Sequence, residues 1–130
     1  MTEHTLKMRK RPKHLNLFQI RLPFPALVSI LHRASGAILF LLLGLLLWLL
    51  QGTLSSGARF DADRSALSNP ALKLVLFGLL WAYLHHLLAG VRHLAMDLHY
   101  GTELEMSRAS SKLVFFGALA LTLIAGVALW

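Results

Sequence analysis

A chain of 130 residues that is 56% hydrophobic and 15% charged is too apolar for an ordinary soluble domain. The absence of cysteine excludes disulfides, thiolate metal sites and iron–sulfur clusters carried by the chain itself. The net charge of +7 is uneven: residues 1–33 hold seven Lys and Arg against one acid, Glu3, while residues 51–73 hold three against two and residues 92–112 three against three.

Three segments approach or reach membrane-spanning length. Residues 34–50 are apolar apart from Ser35, residues 72–91 are interrupted only by Lys73, His85 and His86, and residues 113–130 carry no charge. A helix rises about 1.5 Å per residue, so about 20 residues cover a hydrocarbon core of roughly 30 Å. The pattern predicts an all-α membrane protein with three transmembrane helices, near 25–51, 71–97 and 112–130. They form one domain over 25–130 behind a basic segment, 1–24. The basic start places the N-terminus in the cytoplasm, the first loop outside, the second inside and the C-terminus in the periplasm. A nucleic-acid role for the basic residues is disfavoured, because they abut a span and have no accompanying domain. The start does not read as a signal peptide, since its charged stretch is long and no small-residue cleavage site follows closely.

In chain order, RKRPK at 9–13 is accounted for as an orientation signal and a contact for anionic lipid. Residues 14–24 mix Leu, Ile and Phe with polar groups and suit an interface or a partner surface. Pro23 and Pro25 break that stretch, and Pro25 is placed to open the first helix. The cytoplasmic mouth of this helix carries Ser29, His32 and Arg33, and Ser29 and Arg33 share a face. Snorkelling to headgroups explains Arg33 but neither the serine nor the histidine. Gly44 is a second packing point, and Trp48 lies where an outer aromatic belt belongs. Residues 51–70 read as an outer loop with turn signals and a solvated Asp61, Asp63 and Arg64. Two carboxylates without a frame make no hard-cation site.

The second helix ends in HHLLAGVRHLAMD at 85–97. Histidines inside a span are rare and costly, so each is a functional hypothesis. Gly78, Ala82, His86, Gly90, His93 and Asp97 follow steps of three and four and form one stripe. Small residues a turn from a histidine clear space for a flat cofactor. They also serve simple helix packing, with the histidine bonded to a neighbour, and spacing alone leaves both open. Counting from Asp97, His86 lies about 16 Å along the axis and His93 about 6 Å. Arg92 and Asp97 are expected to reach the headgroups, and the inner loop to Lys112, with Glu103, Glu105 and Arg108, to be a solvated connection or docking surface. In the third helix Gly117, Leu121 and Ala125, with Ala118 and Gly126, predict close packing. Thr122 is expected to bond its own backbone and Trp130 to anchor the outer interface.

SILHRASG at 29–36 and HLLAGVRHLAMD at 86–97, preceded by RPKHLNLFQIRLPFPA, resemble the cytochrome b membrane-anchor subunit of bacterial and mitochondrial succinate dehydrogenase, the larger of the two anchors of complex II. The resemblance covers nearly the whole chain, and the two motifs in this order and separation are highly specific. It implies half of a helix bundle that binds one haem b together with a smaller anchor subunit, His86 being this chain's axial ligand to the iron. It also implies a ubiquinone site near the cytoplasmic face, matched by Ser29 and Arg33, and places His32, Arg33 and His93 near the haem propionates. FAD and iron–sulfur clusters would then sit only on a flavoprotein subunit and an iron–sulfur subunit, which oxidise succinate, in a complex of the bacterial inner membrane. The departure from the family pattern is His85, an extra histidine beside the expected ligand. Family position and the stripe with Gly90 and His93 favour His86. Two rival readings are a haem-free scaffold and a small proton-conducting protein. The second would need polar residues across all three spans, which the outer halves of the first and third helices lack.

Overall fold

The computed structural model describes residues 21–129. The basic run at 9–13, the mixed stretch at 14–20 and Trp130 lie outside the described residues. Four helices follow in order: α1 (Phe24–Ser55), α2 (Gly57–Ala66), α3 (Pro70–Asp97) and α4 (Leu104–Leu129). Among the described residues α1, α3 and α4 are long and apolar enough to cross a membrane. At 32 residues α1 runs about 48 Å, well beyond the hydrocarbon core.

The helix ends follow local chemistry. Pro23 is extended and precedes α1, whose first turn takes Pro25, a residue with no N–H to leave unpaired. The Ser56 hydroxyl caps α2 by accepting from the Arg59 N–H at 3.2 Å. Asn69 Oδ1 accepts from the Ala71 N–H at 2.9 Å and so caps α3, with Pro70 in its first turn. At the far end of α3 the chain reverses through His99 and Gly101, with φ of 66° and 72°. Histidine tolerates this left-handed region better than most residues, and glycine adopts it without a Cβ penalty.

Two expected boundaries move. Residues 51–66 are not an open loop: α1 continues to Ser55 and α2 lies against it. There Arg59 forms an ion pair with Asp63 at 3.3 Å and sits 5.3 Å from the Trp48 ring centroid. The third spanning helix starts at Leu104 rather than near 112, so its first two turns are polar.

That extension explains Arg92. Rather than reaching the headgroups, Arg92 is 7% exposed and crosses to α4. Nε donates to the Ser110 hydroxyl at 3.0 Å, and Nη2 donates to the Ser107 hydroxyl at 2.9 Å and the Ser107 carbonyl at 3.3 Å.

α3 packs against both α1 and α4, and α1 and α4 also touch each other, with Phe24 against Phe115 and Phe116. Small side chains bring the backbones together: Ala89 and Ala118 are fully buried and Ala82 nearly so. The packing face of α4 is Ser111, Val114, Ala118, Thr122 and Gly126, all buried. Of the residues expected to pack, Ala118 and Gly126 are buried, Gly117 and Ala125 are half-buried and Leu121 is exposed. Gly126 lies directly against the Phe77 ring. Thr122 donates to the Ala118 carbonyl at 2.7 Å, as expected, and Ser111 donates to the Ser107 carbonyl at 2.6 Å, so both buried hydroxyls are satisfied within their own helix.

Removing the two hydroxyls that hold Arg92 leaves a buried cation short of acceptors, at a cost of about 1–3 kcal/mol. Ser107→Ala combined with Ser110→Ala should lower the melting temperature of the assembled membrane complex in detergent. Ser111→Ala, whose hydroxyl bonds only its own helix, should change it little. Equal melting curves would show that Arg92 does not depend on these serines.

Candidate functional site: a histidine cluster between α1 and α3

Two stripes one residue apart run along the C-terminal half of α3. His85, Ala89 and Arg92, at i, i+4 and i+7, are buried within this chain's own three-helix packing. His86, Gly90 and His93 repeat the same spacing one position on and are only half-buried. The neighbouring histidines therefore have different surroundings, and His86 lies on the stripe with Gly90 and His93 that the spacing favoured.

His86 faces α1. Its Nδ1 lies 3.0 Å from the His32 carbonyl oxygen, so this nitrogen carries the proton and donates. The Ser35 hydroxyl, which itself donates to the same carbonyl at 3.0 Å, lies 3.3 Å from Nδ1. Both contacts use one ring nitrogen, which fixes the tautomer and leaves the lone pair of Nε2 for another partner. The His32 ring stacks on that of His86, with centroids 4.2 Å apart and planes within 7°, and His93 follows at 5.0 Å from His32.

Glycine makes this approach possible. A Cβ on Gly36 would stand 2.7 Å from His86 Cε1, closer than real side-chain carbons come, so the ring occupies space that Gly36 leaves empty. A Cβ on Gly90 would meet His32 Nε2 at 3.5 Å, an ordinary contact. The small-residue stripe is thus only partly what the spacing suggested. Ala82 is buried in the helix packing, Gly78 has nothing near it, and Gly90 lies beside His32. Sequence reasoning missed Ser35 and the contact of Gly36 with His86; the signal was SG at 35–36, three and four residues beyond His32.

Ser29 and Arg33 lie on the first turns of the same helix, Ser29 half-buried and Arg33 exposed. The structure therefore brings His32, His86 and His93 together and sets Ser29 and Arg33 on the flanking turns of α1. Asp97 is exposed at the end of α3.

His85 points into the packing among α1, α3 and α4. It is fully buried between Trp81, whose ring centroid lies at 5.3 Å, and Phe115, at 6.3 Å. Its Nε2 lies 3.4 Å from the Val28 carbonyl oxygen, and its Nδ1 is buried with no hydrogen-bond partner among the described residues.

Residues 7–125 match the family described as the succinate dehydrogenase/fumarate reductase transmembrane subunit. The chain belongs to this family. Among curated relatives it is 38% identical over 122 residues to the succinate dehydrogenase cytochrome b556 subunit of Coxiella burnetii, covering 93% of this chain and 98% of that one. It is 33% identical over 114 residues to the subunit of the same name from Paracoccus denitrificans, 88% of each chain. The Rickettsia felis subunit is 30% identical over 116 residues, 88% of this chain and 90% of that one. The chain is accordingly a multi-pass membrane anchor subunit of succinate dehydrogenase, of the cytochrome b type, and works in a complex with other subunits of that enzyme.

Proposed function

We propose that this subunit supplies one axial ligand to a haem b shared with a smaller anchor subunit and helps to form the site where ubiquinone is reduced. The observation that carries the reading is the Nδ1–H of His86 held by the His32 carbonyl at 3.0 Å. Iron-ligating histidines usually donate their second ring N–H to a carbonyl or carboxylate, which orients the ring and raises the basicity of the ligating nitrogen. His86 has that support and lies on a half-open stripe, whereas His85 is enclosed by the chain itself. A group shared between two subunits is reached from the first stripe and not from the second. His32, Arg33 and His93 gather at the cytoplasmic end of the same seam and suit anionic propionates. Bound haem b would supply a one-electron store next to the quinone. A haem-free scaffold accounts for the helix contacts of the histidines but not for a tautomer that keeps one nitrogen free.

Ser29 and Arg33 are assigned to the quinone head group. A hydroxyl and a guanidinium on one face at the membrane edge can donate to quinone oxygens while the tail stays in lipid. The chain has no cysteine for a cluster, so succinate oxidation, with FAD and the iron–sulfur clusters, falls to the flavoprotein and iron–sulfur subunits. The charge distribution sets the N-terminus and the quinone face in the cytoplasm and the C-terminus in the periplasm.

His86→Leu should abolish or strongly alter the dithionite-reduced b-type absorption spectrum of the purified complex, while His85→Leu should retain it. The reverse result would transfer the ligand role to His85. Gly36→Val should disturb the same spectrum without removing any ligand, because its side chain must displace the His86 ring; an unchanged spectrum would show that the ring does not need the space.

Ser29→Ala and Arg33→Leu should depress succinate–ubiquinone reductase activity and spare electron transfer from succinate to a soluble dye. Loss of a hydrogen bond involving a charged group corresponds to about 1.5–3 kcal/mol, roughly ten- to a hundredfold in affinity, for Arg33, with a smaller effect for Ser29. Near-normal quinone reduction in both variants would leave Arg33 a snorkelling residue and Ser29 incidental. Equal loss with both acceptors would indicate failed assembly.

A further inference from the structure

His85 has no part in the function proposed so far, yet its surroundings are unusual for a residue that only fills space. It is fully buried, flanked by Trp81 and Phe115, and carries a buried Nδ1 without a partner among the described residues. An apolar ring there would pack as well without the penalty of a bare polar atom. What the imidazole adds is its other nitrogen. Facing a carbonyl oxygen at 3.4 Å, Nε2 carries the proton and donates to Val28.

Val28 is itself fully buried and directly precedes Ser29. One turn further along α1 is His32, whose carbonyl receives the Nδ1–H of His86 and which directly precedes Arg33. Two consecutive histidines of α3 thus donate to carbonyls one turn apart on α1. A single such contact leaves α1 free to rotate about it. Two, separated by a turn, fix both the height and the rotation of this segment relative to α3.

We propose that His85 is a positioning residue of the quinone site: through the Val28 carbonyl, its Nε2–H sets the turn of α1 that presents Ser29 and Arg33. This rests on the assignment of those two residues to the quinone. The role needs a donor at this point and not a charge, and it acts through backbone position rather than by contact with quinone.

The test uses the whole four-subunit complex and reads KM for ubiquinone, kcat, dye-linked succinate oxidation and the reduced spectrum. His85→Phe keeps an aromatic ring between Trp81 and Phe115 but has no donor, and His85→Gln keeps an N–H near the position of Nε2. His85→Phe is expected to raise the quinone KM roughly three- to tenfold, the loss of one hydrogen bond, with dye-linked activity and the reduced spectrum retained. His85→Gln should restore most of the KM. An unchanged KM in His85→Phe, or a KM in His85→Gln as high as in His85→Phe, would overturn the proposal. If His85→Phe does not assemble, His85→Leu serves as the second donor-free variant. Failure of both to assemble would make the contact a requirement of folding and likewise overturn it. Ser29→Ala is measured in parallel: if it leaves KM unchanged, the quinone assignment itself has failed, whereas a raised KM in Ser29→Ala beside a normal one in His85→Phe overturns only the role of His85.

Discussion

The seam between α1 and α3 is the constraint on which the rest of the site depends. Inside a bilayer, helices gain little hydrophobic energy from association, because lipid tails are as apolar as leucine. What remains is close packing and interhelical hydrogen bonds worth about 0.6–2 kcal/mol each. Along this seam the chain concentrates both. Gly36 admits the His86 ring, Val28 and Ala89 are fully buried, and two imidazoles donate to carbonyls of α1. The acceptors are backbone atoms already engaged in the α-helical ladder, so a contact formed here moves α1 as a rigid piece rather than a side chain alone.

The other seam, between α3 and α4, is built differently. Small residues line it, Ala82 and Ala89 on one helix and Ala118 and Gly126 on the other, and the end near the α3–α4 connection is closed by Arg92 reaching three serine oxygens. A guanidinium with no carboxylate partner among the described residues is costly at this depth. Multiple neutral acceptors spread its charge, and the planar donor fork suits two hydroxyls on successive turns of α4. The consequence is that α3 cannot rotate easily, and the half-buried stripe of His86, Gly90 and His93 stays turned toward α1.

Most of the architecture could be read in the chain. Length, apolar runs and the prolines at 25 and 70 gave the spans and their starts, since each depends on hydropathy or on the missing proline N–H, both local properties. What depends on a partner helix was not legible. Residues 104–112 are polar and read as a loop, yet they are helical, because their serines find Arg92 across the seam. Of the small residues expected to pack on α4, Ala118 and Gly126 are covered and Gly117 only half so, a difference that the neighbouring helices decide. Periodicity put His86 on the stripe with Gly90 and His93, but it did not show that His85 is enclosed by the chain's own helices. A rotation of about 100° between neighbouring positions puts one into the packing and leaves the other on the open stripe, and that outcome needs coordinates.

The C-terminal half of α1 completes the physical picture. From Phe40 to Leu54 its large side chains are mostly exposed, Phe40 and Leu41 at 77% and Leu54 at 78%, and no residue of its most apolar stretch is buried. Its backbone bonds are satisfied within the helix, so lipid can accept this surface. The half beside the histidines is another matter. There the free Nε2 of His86, the exposed Arg33 and the half-buried His93 offer polar groups that hydrocarbon cannot satisfy. Lipid therefore suffices for one end of the helix and not for the other. Polar atoms on the half of the α1–α3 face that carries the histidines call for a polar neighbour, whereas the apolar Phe40–Leu54 half suits lipid.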